Sequence, residues 1–174
     1  MLDLAKSRCP EAQFYLQDMS KFNIIEPLDL ITCFLYSIHY NHGIKKLAEC
    51  IINTHNQLKI GGVFCFNAVN KNNIDNSLFA THTAQKNDDS FVFKSSWNYC
   101  GKGSNQQLKL SIEKTTADKT QVWVDEHPMV AFSFDELKAI LTPYFDVHIF
   151  EHDYEKIIPW DEVSGNAIFV CVKK

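Results

Sequence analysis

Apolar residues follow two different rhythms along this chain, and the switch between them marks out its elements. Ile44, Leu47, Ala48, Ile51, Ile52 and Leu58 recur at helical spacing with polar residues between them, which predicts an amphipathic helix. Gly61-Gly62 then reads as its C-terminal stop. On either side lie apolar runs of another kind. Leu28 to Ile38, after Pro27, is almost continuously apolar, and so is Val63 to Val69. Such runs suit strands buried on both faces, as in a parallel sheet. Strand, helix, Gly-Gly and strand together predict a right-handed βαβ unit. Ahead of it, residues 1–9 read as a helix end stopped by Pro10. Ala12 to Met19 sets Phe14 and Leu16 against polar neighbours, which predicts a short strand ending at Asp18-Met19.

The rhythm changes after Asn70. Residues 70–90, rich in Asn, Asp, Thr and Lys, read as a surface loop. Three alternating segments follow, Ser90–Tyr99, Gln107–Glu113 and Thr120–Glu126, divided by turn-forming residues 100–104 and 116–119. They predict an antiparallel insert over about residues 71–132. Ser133 with Glu136 forms a capping box before a helix whose apolar face is Leu137, Ile140, Leu141 and Phe145. Two strands, Asp146–Glu151 and Asn166–Val172, close the chain. The fold class is α/β, a single domain over residues 1–174 with an antiparallel β insert before the last helix.

Composition narrows the possible partners. The net charge is −4 and Arg8 is the sole arginine, so neither a positive field nor bidentate arginine contacts favour nucleic acid. Six scattered cysteines without a CxxC pair read as reduced thiols and point to a cytoplasmic protein. No signal peptide opens the sequence, and no apolar run approaches the ~18 residues of a membrane span. His148, Glu151, His152 and Asp153 lack the common face that a metal site needs, and read as a solvated strand end.

Four segments in order carry a resemblance. MLDLAKSRCPEAQFYLQDMSKF, LDLITCFLYSIHY, LKIGGVF and the stretch from Asp125-Glu126-His127 through Phe132-Ser133 to Glu136-Leu137 resemble class I S-adenosylmethionine-dependent methyltransferases. The last stretch and the insert are similar to small-molecule N-methyltransferases, amino-sugar dimethyltransferases among them. The resemblance spans nearly the whole chain. It implies a Rossmann-like methyltransferase sheet whose insert forms a lid, with S-adenosylmethionine as cofactor and a small-molecule amine or hydroxyl as acceptor.

Candidate site residues follow from the resemblance and from elementary chemistry. Asp18 and Met19 end a strand where a carboxylate and a backbone N–H can meet an adenine, although Asp18 also reads as an ordinary cap before Ser20 and Lys21. Phe34, Leu35 and Ile38 read as core from their apolarity, while the resemblance places Phe34 and Leu35 against the cofactor. Tyr36 and Tyr40 offer aromatic faces to a sulfonium, and Ser37 and His39 could orient the acceptor. His127, beside Asp125 and Glu126, could take the acceptor's proton.

The family's first strand, glycine-rich turn and second strand find no counterpart in these residues, whose first glycine is Gly43. The resemblance therefore implies a truncated sheet lacking the two strands between Ala12–Met19 and Leu28–Ile38. Three expectations follow: weak cofactor affinity, exposed strand edges, and self-association into a homodimer or higher homo-oligomer. The alternative is a non-catalytic remnant that binds a ligand or partner.

Overall fold

The computed structural model describes residues 2–174. Helix α1, Leu2–Arg8, matches the expected N-terminal helix, apart from Met1, which lies outside the described residues. Strand β1, Leu28–Cys33, helix α2, Ile44–Gln57, and strand β2, Leu58–Val69, form the expected βαβ unit, with β1 and β2 parallel. The apolar stripe of α2 buries Leu47, Cys50 and Ile51.

Two features of this unit depart from the sequence pattern. The β1 strand stops at Cys33 rather than Ile38, because Leu35 and Tyr36 adopt left-handed backbone conformations, φ 55° and 59°, and Ser37–Tyr40 winds into a 3₁₀ turn. Gly61-Gly62 does not end α2. The helix ends at Gln57, and both glycines lie within β2. A Cβ at Gly62 would stand 2.9 Å from the Lys59 carbonyl oxygen and 3.1 Å from that of Leu28, so close backbone approach explains the residue.

Strands β7, Phe145–Glu151, and β8, Asn166–Lys173, complete a mixed sheet in the order β1-β2-β8-β7. Phe64, Phe66, Phe145 and Phe169 pack with α2 and with α3, Phe134–Leu141, in one core. Ser133 and Glu136 make the anticipated capping box on α3.

The lid is a separate antiparallel sheet of four strands, β3 Ala80–Lys86, β4 Asp89–Tyr99, β5 Asn105–Thr115 and β6 Thr120–Val130, in sequential order. Three correspond to the alternating segments; β3 falls where a loop was expected. Register places Leu108, Leu110 and Ile112 opposite His127, Asp125 and Trp123, so Val122 and Val124 share the other face and stay exposed.

The strand expected at Ala12–Met19 is absent, and residues 12–18 run without regular structure. A strand needs a neighbour for its backbone groups. An apolar cleft of about 250 Å³, lined by Tyr15, Met19, Phe22, Ile31, Cys33 and Phe64, separates this segment from β1.

Candidate active site

The C-terminal ends of β1 and β2 meet the start of β8 and the end of β7 at one rim of the mixed sheet, and the lid leans over that rim. Open α/β sheets bind ligands outside the carboxyl ends of their strands. Contacts between lid and rim come chiefly through the turn after β1. Tyr36 meets Trp97 of β4 edge-to-face with ring centroids 5.4 Å apart, and Tyr40 meets His127 of β6.

Tyr40 and His127 form a defined pair. His127 Nε2 lies 3.1 Å from Asp125 Oδ2, and a carboxylate only accepts, so Nε2 carries a hydrogen. Nδ1 of the neutral ring then accepts the Tyr40 hydroxyl hydrogen. Burial, with Asp125 adding to it, holds the Tyr40 phenol above its ordinary pKa. Phenol, imidazole and carboxylate thus form a chain along which a proton can pass. A cleft of about 750 Å³ rich in amides, including Asn98, Asn105 and Gln107, is lined by Pro128, next to His127 in β6, and not by Tyr40, His127 or Asp125 themselves.

Tyr36 is held from two sides. Its backbone N–H donates to Asn67 Oδ1 at 3.1 Å, and its hydroxyl accepts from Asn166 Nδ2 at 2.7 Å. Burial raises its pKa, so the phenol stays protonated. Two successive left-handed non-glycine residues store strain on the order of 1–3 kcal/mol each, and such strain gathers at functional turns. Leu35, 80% exposed, presents an apolar side chain to solvent from this turn.

His39 is not available to a substrate, contrary to the sequence expectation. It is fully buried, its ring stacked on Phe132 with centroids 4.4 Å apart. Its Nε2 accepts the Val69 backbone N–H at 3.0 Å, which fixes the hydrogen on Nδ1, and Nδ1–H donates to the Val130 carbonyl at 2.8 Å. The Gln106 amide, 3.0 Å from Nδ1, therefore suits this ring with its oxygen turned inward. Both ring nitrogens are occupied, and burial lowers the pKa to about 4. This histidine joins β2, β5 and β6. Ser37 is half-buried at the start of the 3₁₀ turn.

Asp18 and Met19 stand on the far side of the apolar cleft. Asp18 Oδ1 accepts from the Ser20 backbone N–H and hydroxyl, both at 2.8 Å, and the backbone bond foremost holds its carboxyl below the usual range. This is a turn stabilised by the aspartate side chain rather than the helix cap that its neighbours suggested, since no helix follows Met19–Lys21. Asn41 Nδ2 donates to Met19 Sδ. Phe34 packs edge-on against Tyr154.

His152, read from the sequence as part of a solvated strand end, is instead partly covered by the rim. It lies just beyond β7, half-buried, 3.1 Å from Asn166 Nδ2 and with its ring 6.0 Å from that of Tyr36. Nothing in the strand pattern signals this, because the bend after Glu151 turns the side chain toward the rim.

No family model and no curated protein matches the sequence. Solved structures do. The chain is similar to S-adenosylmethionine-bound CalS10, an amino pentose methyltransferase from Micromonospora echinaspora, with a TM-score of 0.82 at 15% identity over 99% of this chain and 70% of that one. DesVI of Streptomyces venezuelae superposes over the same shares of each chain, with a TM-score of 0.81 at 17% identity. The fold is methyltransferase-like. A further S-adenosylmethionine-dependent methyltransferase, from Clostridium acetobutylicum, gives a TM-score of 0.74 at 18% identity, again over 99% of this chain and 70% of that chain.

Asp18 is exposed with one carboxylate oxygen committed to Ser20, and Leu35 is an exposed apolar surface at a strand's carboxyl end. The sheet and lid match the expected fold class.

Proposed function

We propose that this chain serves S-adenosylmethionine-dependent methyl transfer to a small-molecule amine or hydroxyl. The Tyr40–His127–Asp125 chain carries the reading. An acceptor must lose a proton to become, or remain, a neutral methylated product. Tyr40, hydrogen-bonded to His127, would receive that proton and hand its own to His127, with Asp125 steadying the imidazolium. Asp18, Met19, Phe34 and Leu35 would hold the cofactor, which supplies an electrophilic methyl group when bound. Tyr36 and Trp97 would wall the acceptor and exclude water, while the aromatic faces favour a nearby cation.

The test pairs binding with turnover. Labelled S-adenosylmethionine is offered with a panel of small amines and alcohols, and S-adenosylhomocysteine is titrated by calorimetry. Methyl transfer should fall at least tenfold in His127→Ala while S-adenosylhomocysteine binding stays unchanged. No transfer to any acceptor, together with no chemical-shift change at Asp18 and Met19 on adding S-adenosylhomocysteine, would sink the proposal.

A second reading, a non-catalytic protein that binds a ligand or a partner, is favoured by one observation. Strand β1 has a single strand neighbour, and the cleft beside it is apolar. The chain's few polar groups on that side support weak cofactor affinity. Each missing charge-assisted hydrogen bond forfeits roughly 1.5–3 kcal/mol. Binding of S-adenosylhomocysteine at micromolar or tighter affinity would count against this second reading.

A further inference from the structure

Four strands of the mixed sheet deliver a second polar cluster to the rim. Tyr36 follows β1, Asn67 lies in β2, His152 follows β7 and Asn166 opens β8. Asn166 Nδ2 donates one hydrogen to Tyr36 Oη at 2.7 Å and the other to His152 Nδ1 at 3.1 Å, while Asn166 Oδ1 is buried without a partner. With Nδ1 accepting, the neutral His152 ring carries its hydrogen on Nε2, which donates to Tyr154 Oη at 3.0 Å. The Tyr36 hydroxyl accepts from Asn166, so its own hydrogen remains free to donate.

Protonation of His152 reverses this polarity. An Nδ1–H cannot face the Asn166 amide hydrogens. A half-turn of the amide exchanges its nitrogen and oxygen in place, and Oδ1 then accepts from both His152 Nδ1–H and Tyr36 O–H. Beside a neutral His152 that orientation is unfavourable, since it strands two buried donor hydrogens in place of one acceptor.

We propose that His152 and Asn166 are positioning residues that decide whether the Tyr36 hydroxyl is offered to a bound molecule. With His152 neutral, Tyr36 O–H donates to a ligand oxygen bearing a lone pair, such as a hydroxyl, ether or carbonyl. With His152 protonated, the same hydrogen is drawn into Asn166. The ligand half of this proposal rests on the methyl-transfer reading, in which the acceptor enters at Tyr36; the coupling between the side chains does not.

Tyr36 faces His152 from the β1 turn, Asn166 from β8 and Tyr154 from its own loop, while Asn67 Nδ2 of β2, 3.5 Å from Nε2, is a donor and makes no bond to the Nε2–H of this tautomer. The flanking carboxylates are engaged elsewhere, Glu151 with the Asp161 N–H and Ser164 hydroxyl, and Asp153 with the Glu155 and Lys156 N–H groups. Burial lowers the His152 pKa, so its neutral form prevails at neutral pH.

Nuclear magnetic resonance on the whole chain tests both halves, with ¹⁵N-labelled histidine and ¹³Cζ-labelled tyrosine. In neutral solution His152 should show the Nε2–H tautomer. As pH falls, the Tyr36 Cζ resonance should shift with the midpoint of His152. In Asn166→Ala the two titrations should separate, while in Asn166→Asp the His152 midpoint should rise by about a unit or more. A Tyr36 resonance that stays flat through the His152 titration, or an Nδ1–H tautomer in neutral solution, overturns the coupling. For the ligand half the probe is 1-amino-2-propanol at saturating concentration. It should move the Tyr36 resonance in neutral solution and leave it unmoved below the His152 midpoint. An equal effect in both conditions, or none in either, overturns the ligand assignment. Absence of methyl transfer in every assay would remove the functional reading yet leave the side-chain coupling standing, whereas a flat Tyr36 resonance does the reverse.

Discussion

His39 shows how far a single side chain can depart from its neighbours in sequence. Between Ser37 and Tyr40 it has the appearance of a site residue, and only the distant Val69, Gln106 and Val130 reveal a buried strut. No local pattern could disclose partners supplied by three other strands. The strut makes stability depend on pH. Unfolded, the ring titrates near 6.5, whereas folded it stays neutral down to about 4. Between those values the unfolded chain binds a proton that the folded chain does not, so stability rises with pH across this window. The contribution is complete above pH 6.5 and falls by on the order of 3 kcal/mol on descending to about 4. His152, whose pKa is also lowered by burial, acts in the same direction. Urea melts at neutral pH and near pH 4.5 should show the loss, and His39→Gln should flatten it while lowering stability at neutral pH. An unchanged pH dependence in that variant would remove His39 as the cause.

At the scale of elements, legibility followed side-chain contrast. The α3 capping box was readable from Ser133 and Glu136 alone, since both partners of each hydrogen bond lie within four residues. Ser133→Ala should cost about 1 kcal/mol in denaturant unfolding. Strand β3 was not readable: Ala80–Lys86 is exposed on both faces, so no apolar alternation marks it. Gly61-Gly62 misled for a different reason. Glycine serves both as a helix stop and where backbones crowd, and only the Leu28 and Lys59 carbonyls tell the two apart at Gly62. Gly62→Ala should push β1 from β2 and destabilise the fold by roughly 1–3 kcal/mol. Stability equal to that of the parent chain would show that the strand pair yields more easily than its spacing implies.

For the whole molecule, the order of the four resembling segments disclosed the architecture, because the sequence of elements constrains which strands can lie together. It did not disclose how residues 12–18 would settle beside β1, since a strand's fate depends on its neighbours. Strand β1 is paired in the sheet with β2 alone, and Leu30 on it is 57% exposed. Such an edge templates pairing with another chain, and we propose that this chain self-associates through it. Light scattering across a concentration series should show growth above the monomer mass, and Leu30→Lys should suppress it. A parent chain that stays monomeric at high concentration would remove the proposal.

The lid leaves and rejoins the body at a single point. Lys71 N–H donates to the Phe132 carbonyl at 3.0 Å, so the two ends of the inserted sheet are stapled together. A cassette with adjoining ends can be lengthened, shortened or exchanged without moving the framework that carries it. The constraint is local: whatever hairpins are spliced in must still bring an amide like Gln106 and a ring like Trp97 down onto His39. Lids of different length and sequence can therefore be exchanged across this junction, provided the roof over that buried imidazole is kept.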